Sequence, residues 1–178
     1  MNPVKTGVVG CGNISARHLN LLTSSDRFEV VGVADVVEER ARRRASEFDI
    51  RRWTLDYREL VSDAEIEAIW VLTPAYRHVE VSISALQAGK HVFCEKPLAK
   101  TSDECRAIHE AAEASGSAFQ LGYTMRFPPD ALNLRDQIQR GRMGRPVFFR
   151  DVWVLCKGSP SPAIHDAEQG GGVLYEHT

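Results

Sequence analysis

A glycine-rich turn near the amino terminus constrains the fold more than any other feature of the 178-residue chain. Gly10-Cys11-Gly12 follows the apolar run 4–9 and precedes the stretch 14–22, where apolar residues recur at helical spacing. A strand, a glycine turn and a helix in this order form the context in which a G-x-G-x-x-G pattern predicts a dinucleotide site. A glycine turn without a ligand is the alternative interpretation.

The residue types in this turn suit a diphosphate. Gly10 permits a tight turn, and Gly12 lets the backbone approach the ligand closely. The negative charge would then meet the free N–H groups and the positive end of the helix dipole. Ser15 takes the place of the third glycine and is small enough for close packing of the helix on the strand.

An acidic residue follows the second β-branched run, 28–34. At the end of that strand, Asp35 could accept hydrogen bonds from the hydroxyls of an adenosine ribose, and it would repel a 2′-phosphate. Asp35 is followed by Val36, at a position where an NADP-binding protein would more often have arginine. The sequence therefore favours NAD over NADP.

Strand and helix patterns alternate over the first 122 residues. We predict further strands at 68–72, 91–94 and 118–121, and helices that begin near Val37, Val79 and the capping-box pair Thr101 and Glu104. Short connections between such units predict an α/β fold with a doubly wound parallel sheet.

The pattern changes beyond Gly122. A helical face within 131–138 is followed by the β-rich run 146–156, after which no helix is predicted. We therefore predict a dinucleotide-binding Rossmann domain over residues 1–122 and the incomplete beginning of an α+β second domain over residues 123–178.

Charge and composition exclude several classes of partner. A net charge of −2 gives no reason to expect nucleic acid or an anionic membrane. The arginine-rich run 40–44 is interleaved with glutamates at helical spacing, which predicts a solvated helix face. The four cysteines have no zinc-ligand spacing and predict reduced thiols in a cytoplasmic protein, and neither a signal peptide nor a membrane-spanning run is apparent.

Two further turns fall where a doubly wound sheet has its active site, at the carboxyl ends of the strands. Thr73-Pro74 ends one predicted strand, with His78 just beyond, and Glu95-Lys96-Pro97 ends the next. A lysine beside a nicotinamide could hydrogen-bond a substrate hydroxyl and favour the loss of its proton. Taken alone, Lys96 is equally compatible with a surface cation, and His78 with a packed or capping histidine.

The motifs together resemble the glucose-fructose oxidoreductase and inositol dehydrogenase family (Gfo/Idh/MocA). The motifs that carry the resemblance extend along the whole chain: GCGNISARHL, VAD, TPAYRH, HVFCEKPLAKT, LGYTMRFPP, GRMGRPV and GGGVLYE. The EKP motif at this distance from a glycine turn is the specific part of the match.

The resemblance implies an NAD(P)-binding Rossmann domain followed by a domain whose sheet supplies substrate contacts and a homo-oligomer interface. It implies the following roles: Gly10, Gly12, Asn13 and Ile14 for the diphosphate, Asp35 for the ribose, Thr73, Pro74 and His78 beside the nicotinamide half, Glu95, Lys96 and Pro97 as the EKP motif with Lys96 catalytic, and Arg126 as a further cofactor contact. Thr124 stands where asparagine is common in the family, so the chain departs from the pattern near Arg126.

In the resembled family, the triple glycine leads to an acid and a histidine that complete the active site. Glu176 stands at the acid position, and the histidine would fall two positions beyond Thr178, while His177 is not in the catalytic register. We expect either a piece of a longer oxidoreductase acting on a sugar, cyclitol or similar polyol, or a truncated relative that binds a dinucleotide without turnover. NAD-dependent glycoside hydrolysis, which a few members of the family perform, is a third alternative.

No metal site is predicted. His165, Asp166 and Glu168, together with Glu176 and His177, are near one another in the sequence, but a polar loop explains them.

Overall fold

The structure, a computed structural model, describes residues 2–148 and residue 150. It divides into a first unit up to Gly122 and a second unit that begins at Tyr123. Each unit is considered by itself.

A parallel sheet forms the centre of the first unit. In the described part of the chain it has six strands: β1 Val4–Val9, β2 Phe28–Ala34, β3 Arg52–Thr54, β4 Ala68–Val71, β5 His91–Cys94 and β6 Phe119–Leu121. Their order is β3-β2-β1-β4-β5-β6, and every neighbouring pair is parallel. The predicted doubly wound sheet is therefore confirmed, with its topological switch point between β1 and β4.

Helices connect the strands of this sheet. Those of the first unit are α1 Asn13–Thr23, α2 Glu38–Glu47, α3 Arg58–Val61, α4 His78–Gln87 and α5 Ser102–Ser115, with a 3-10 turn at Ala75–Arg77. Successive strand residues belong to two separate apolar clusters. Val8 and Trp70 pack in one cluster, and Val9 and Ile69 pack in the other. Both faces of the sheet are thus covered, as the unbroken apolar strands predict.

The capping box predicted for α5 is present. The Thr101 hydroxyl accepts a hydrogen bond from the Glu104 N–H at 3.2 Å, and the Glu104 carboxylate accepts from the Thr101 N–H at 3.0 Å. These two bonds satisfy N–H groups that the first turn of a helix leaves without partners, so the helix begins where the sequence places it.

The segment 52–61 contains two short elements that the sequence pattern does not predict. It contains β3 and α3, which are three and four residues long. Elements this short show too few periods for a hydrophobic pattern to identify them. Leu60 of α3 is nevertheless fully buried and lies against Gly32 of β2, so the segment is part of the core.

The helix α2 begins close to the predicted position but buries one residue of the arginine-rich run. Val37 precedes the helix and is 39 % exposed, whereas Ala41 and Ala45 are buried. Arg44, predicted to lie on a solvated face, is only 7 % exposed. That prediction was wrong for Arg44 because two of its hydrogen-bond partners lie outside the helix: the Gly12 carbonyl of the glycine turn and the Ser15 hydroxyl of α1.

The second unit contains a 3-10 turn at Thr124–Arg126 and the helix α6 Pro129–Gln139. The helix confirms the prediction made for this stretch. Of the predicted β-rich run 146–156, residues 146–148 have no regular secondary structure, and most of the remainder lies outside the described residues. Glu176, His177 and the polar cluster from His165 to Glu168 lie outside them as well.

Candidate dinucleotide-binding site

The glycine turn leaves β1 in a conformation that only glycine adopts easily. Gly10 has a φ of +102°, and its N–H donates to the Ala34 carbonyl at 2.8 Å. A Cβ at this position would lie 2.6 Å from the carbonyl carbon and oxygen of Leu72. The turn therefore passes directly against the end of β4, which no larger residue would allow.

The amino terminus of α1 is open. Gly12 is the N-cap residue, and a Cβ added there would meet nothing within 4 Å. Gly12 has no side chain to cap the helix, and the first turn, which lies wholly within the described residues, contains no acidic residue. Backbone N–H groups at such an end lack helical partners and attract anions, so this surface suits a diphosphate.

Asp35 is fixed beside this turn by two backbone N–H groups. One carboxylate oxygen accepts from the Cys11 N–H and the other from the Val37 N–H, each at 2.8 Å. Each ionised oxygen can accept a further hydrogen bond. The carboxylate is thus oriented at the end of β2 with capacity for the two hydroxyls of a ribose.

The thiol between the two glycines is protected. Cys11 is fully buried, and burial, reinforced by the negative charge of Asp35, raises its pKa to about 12. A thiol with so high a pKa remains protonated at neutral pH and does not act as a nucleophile. In the described residues Cys11, Cys94 and Cys105 are free cysteines, as predicted for reduced thiols.

His78 connects the two turns at the carboxyl ends of β4 and β5. Its ring is 1 % exposed, with Nδ1 2.8 Å from the Pro97 carbonyl oxygen and Nε2 2.8 Å from that of Thr73. Burial lowers the pKa of His78 and outweighs the two carbonyls, which favour the protonated ring. A neutral ring carries one N–H, so it donates to one of these carbonyls at a time.

The EKP turn is anchored through Glu95. One carboxylate oxygen lies 2.8 Å from Nε2 of His18 on α1, and the other accepts from the Lys96 N–H at 2.9 Å. Burial alone would raise the pKa of Glu95, but the hydrogen bonds from His18 and Lys96 hold it below its ordinary value. Lys96 itself is half-buried, and its peptide bond to Pro97 is cis.

A cleft of about 430 Å³ lies at the carboxyl ends of β1, β2 and β4. Its lining includes Gly10, Gly12, Asp35, Thr73, Pro74 and Tyr76. The structure thus brings the glycine turn, Asp35 and the Thr73–Pro74 turn together around one space, at the switch point where such sheets bind ligands.

The other predicted residues, Lys96 among them, are not part of the lining of this cleft. Asn13 and Ile14 are exposed at the start of α1, while His78, Glu95 and Pro97 are buried supports of the two turns. Arg126 lies in the second unit, where it is exposed and ends the 3-10 turn.

The residues present fit a dinucleotide. The open end of α1 provides space for a diphosphate, and the oriented Asp35 provides acceptors for a ribose. In addition, the buried Thr73 hydroxyl oxygen finds no hydrogen-bond partner among the described residues, which leaves a polar group in the cleft lining for a ligand to satisfy. Metal chemistry has no such support: residues 2–148 and 150 contain no cluster of three or more His, Cys, Asp or Glu side chains suited to hold an ion.

Two buried polar residues near the site were missed by the sequence analysis. His18 has a detectable signal, because Ser15, His18, Leu19 and Leu22 share the buried face of α1, and a histidine on such a face needs a partner. Arg44 has a weaker signal, since its helical spacing to Glu47 resembles that of an ordinary surface ion pair.

The fold and the cleft define a Rossmann-type unit of the kind that binds dinucleotides. Residues 4–123 match the family model described as "Oxidoreductase family, NAD-binding Rossmann fold" (Gfo/Idh/MocA). The chain belongs to this family, and the predicted membership is confirmed.

Three similar proteins illustrate the relationship. The chain is 32 % identical over 177 residues to an uncharacterized oxidoreductase, ORF334, of Rhizobium meliloti, covering 99 % of this chain and 53 % of the relative. It is 29 % identical over 174 residues to the scyllo-inositol 2-dehydrogenase (NAD(+)) of Bacillus subtilis (strain 168), covering 97 % and 50 %. A levoglucosan dehydrogenase solved with NADH and levoglucosan superposes with a TM-score of 0.73 at 28 % identity, over 80 % of this chain and 41 % of that one.

The chain spans about half the length of the curated relatives it matches. Every helix within the described residues is too short or too polar to cross a lipid bilayer.

Proposed function

We propose that the whole protein is an NAD-dependent oxidoreductase that transfers a hydride between a sugar, cyclitol or similar polyol and nicotinamide. The observation that carries this proposal is the cleft at the switch point, where an open helix end and an oriented aspartate face the Thr73–Pro74 turn. The substrate class rests on the names of two similar proteins, the scyllo-inositol and levoglucosan dehydrogenases.

The proposed cofactor contacts follow the lining of the cleft. The backbone of Gly10 and Gly12, with the first residues of α1, would hold the diphosphate. Asp35 would accept the ribose hydroxyls, and Thr73 and Pro74 would bound the nicotinamide half. NAD is favoured over NADP because the Asp35 carboxylate, held by two N–H groups, would repel a 2′-phosphate.

The proposed chemistry divides between the cofactor and the chain. Nicotinamide supplies the hydride acceptor when it is bound. Lys96 would hydrogen-bond the substrate hydroxyl and favour the loss of its proton. Glu95 and His78 would act through the turns they hold, since both side chains are occupied with protein groups around Lys96 and Thr73.

Residues beyond 122 would complete the enzyme. We propose a domain boundary at 122/123, with the second domain supplying substrate contacts, a homo-oligomer interface and the Arg126 contact to the cofactor. The cytoplasm is the proposed compartment, because Cys11, Cys94 and Cys105 are free thiols in the described residues.

The experiment that tests the cofactor assignment is a titration of NADH and NADPH into wild-type protein and Asp35→Ala. We expect the variant to bind NADH at least about tenfold more weakly. It should also lose its discrimination against NADPH, because Arg40 in the same cleft lining could then meet the 2′-phosphate. Asp26→Ala, at an exposed carboxylate in the loop before β2, is the matched control and should leave both affinities unchanged.

The outcomes separate the candidate functions. Unchanged affinities in Asp35→Ala would overturn the cofactor assignment. NADH binding by the whole protein without oxidation of any sugar, cyclitol or polyol would instead favour a non-catalytic dinucleotide-binding module.

A further inference from the structure

The guanidinium of Arg44 lies beneath the glycine turn. Its Nη2 donates to the Gly12 carbonyl at 3.0 Å, and its Nε donates to the Ser15 hydroxyl oxygen at 2.9 Å. The Ser15 hydroxyl in turn donates to the same Gly12 carbonyl at 2.6 Å. Three side-chain and backbone groups, from α2, α1 and the turn itself, therefore form one closed hydrogen-bonded set.

Burying the Arg44 guanidinium costs free energy unless its hydrogen bonds and ion pair compensate for the hydration that it loses. A 7 % exposed guanidinium loses most of its hydration. Its ion pair with Glu47 compensates only in part, because the Glu47 side chain is 46 % exposed and remains hydrated. Nη2 and Nε donate to the Gly12 carbonyl and the Ser15 hydroxyl, and not to Glu47.

The Gly12 carbonyl determines where the next N–H points. In a trans peptide the C=O of Gly12 and the N–H of Asn13 are antiparallel. With the carbonyl oxygen held on the side of Arg44, the Asn13 N–H is directed to the opposite side of the turn. A Cβ on Gly12 would meet nothing within 4 Å, so the turn has unoccupied space beside it.

We propose that Arg44 is a positioning residue for the dinucleotide diphosphate. It fixes the Gly12–Asn13 peptide in the orientation that presents an N–H to the ligand, and it adds a positive charge behind the open end of α1. Ser15, at the position of the third glycine, adds a second connection, because its hydroxyl accepts from Arg44 and donates to the Gly12 carbonyl. This inference rests on the proposed binding of a dinucleotide in the cleft.

The test compares variants of Arg44 with a matched control on the same helix. Arg44→Met removes the donors and the charge, Arg44→Lys keeps the charge without the forked geometry, and Arg42→Met alters an exposed arginine of the same helix. Each full chain is titrated with NADH and with ADP-ribose, which shares the diphosphate, and its melting temperature is recorded.

We expect Arg44→Met to weaken the binding of NADH and of ADP-ribose by the same factor, about tenfold. The affinities of Arg44→Lys should fall between those of that variant and the wild type, and the affinities of Arg42→Met should match those of the wild type. If Arg44→Met fails to fold, Ser15→Ala serves instead and should weaken the binding of both ligands about threefold.

Two results would overturn the inference while leaving dinucleotide binding intact. One is a lower melting temperature with unchanged affinity, which would make Arg44 a purely structural residue. The other is a loss of NADH affinity without a loss of ADP-ribose affinity, which would remove the diphosphate from the explanation. Wild-type protein that binds neither ligand would contradict the proposed function itself, and this inference with it.

Discussion

Nε2 of His18 lies 2.8 Å from Oε1 of Glu95, and this buried pair joins the helix of the glycine turn to the turn that carries Lys96. The two residues are 77 positions apart in the chain. The His18 ring also packs against Phe93 of β5 at a centroid distance of 5.3 Å. The diphosphate side of the cleft and the proposed catalytic lysine are thus connected by one short contact.

The pair predicts a pH-dependent contribution to stability. The pKa of Glu95 is lower in the folded protein than its ordinary value of 4.5, so its contribution is complete above that value and is lost as the pH falls through the folded pKa. Glu95→Gln should therefore lower the free energy of unfolding by about 1–3 kcal/mol at neutral pH. The difference from wild type should narrow below pH 4.5.

Urea denaturation at several pH values measures this effect. Glu110→Gln, at an exposed position of α5, is the control and should follow the wild type throughout. A Glu95→Gln deficit that stays constant down to acidic pH would show that the charge of Glu95 is not involved.

The two glycines of the turn should respond differently to alanine. Gly10→Ala places a Cβ 2.6 Å from backbone atoms of Leu72 at a φ of +102°, so it should destabilise the fold by more than about 3 kcal/mol. Gly12→Ala meets open space at a φ of −71° and should change stability by less than about 1 kcal/mol.

The Gly12→Ala variant should also differ from the wild type in its affinity for NADH. Because the added methyl of Gly12→Ala occupies the space proposed for the diphosphate, this folded variant should bind NADH at least about tenfold more weakly. Full affinity in Gly12→Ala would mean that the diphosphate does not approach this turn.

The cysteines should differ in reactivity. Burial, reinforced by the charge of Asp35, raises the pKa of Cys11 to about 12, and burial raises that of Cys94 to about 12, whereas Cys105 is half-buried. Iodoacetamide at about pH 8 should label Cys105 well before either of the other two. Peptide mass mapping of the native protein gives the order, and early labelling of Cys11 would contradict the packing of the glycine turn.

The proposed catalytic lysine has a neighbour that serves as its control. In the whole protein, Lys96→Ala should lower kcat by about 10²- to 10⁴-fold and leave the Kd for NADH nearly unchanged. Lys100→Ala, at another half-buried lysine four positions on, should retain activity. Loss of NADH affinity equal to the loss of kcat in Lys96→Ala would indicate a structural lysine.

The local features of the cofactor half could be predicted from the sequence because they depend on neighbouring residues. A few neighbouring residues are enough to identify the glycine turn, the strand before it and the capping box at Thr101 and Glu104. Asp35 could be placed at the end of β2 as well, because it directly follows the β-branched run 28–34.

The contacts that fix the site could not be predicted in the same way. Arg44 reaches Gly12 across 32 positions, and no local pattern distinguishes it from the exposed Arg43 beside it. His18 and Glu95 likewise find each other only once the sheet order brings α1 next to the end of β5. Such contacts depend on the tertiary structure. Hydrophobic periodicity predicts which face of a helix is buried, but it does not predict which residues pack against that face.

A crystal structure of the chain with NADH tests the proposed cofactor site most directly. We expect diphosphate oxygens within about 3 Å of backbone N–H groups at the start of α1, and adenosine ribose hydroxyls hydrogen-bonded to the Asp35 carboxylate. A dinucleotide bound elsewhere on the first unit, or one whose ribose does not touch Asp35, would contradict the proposed site.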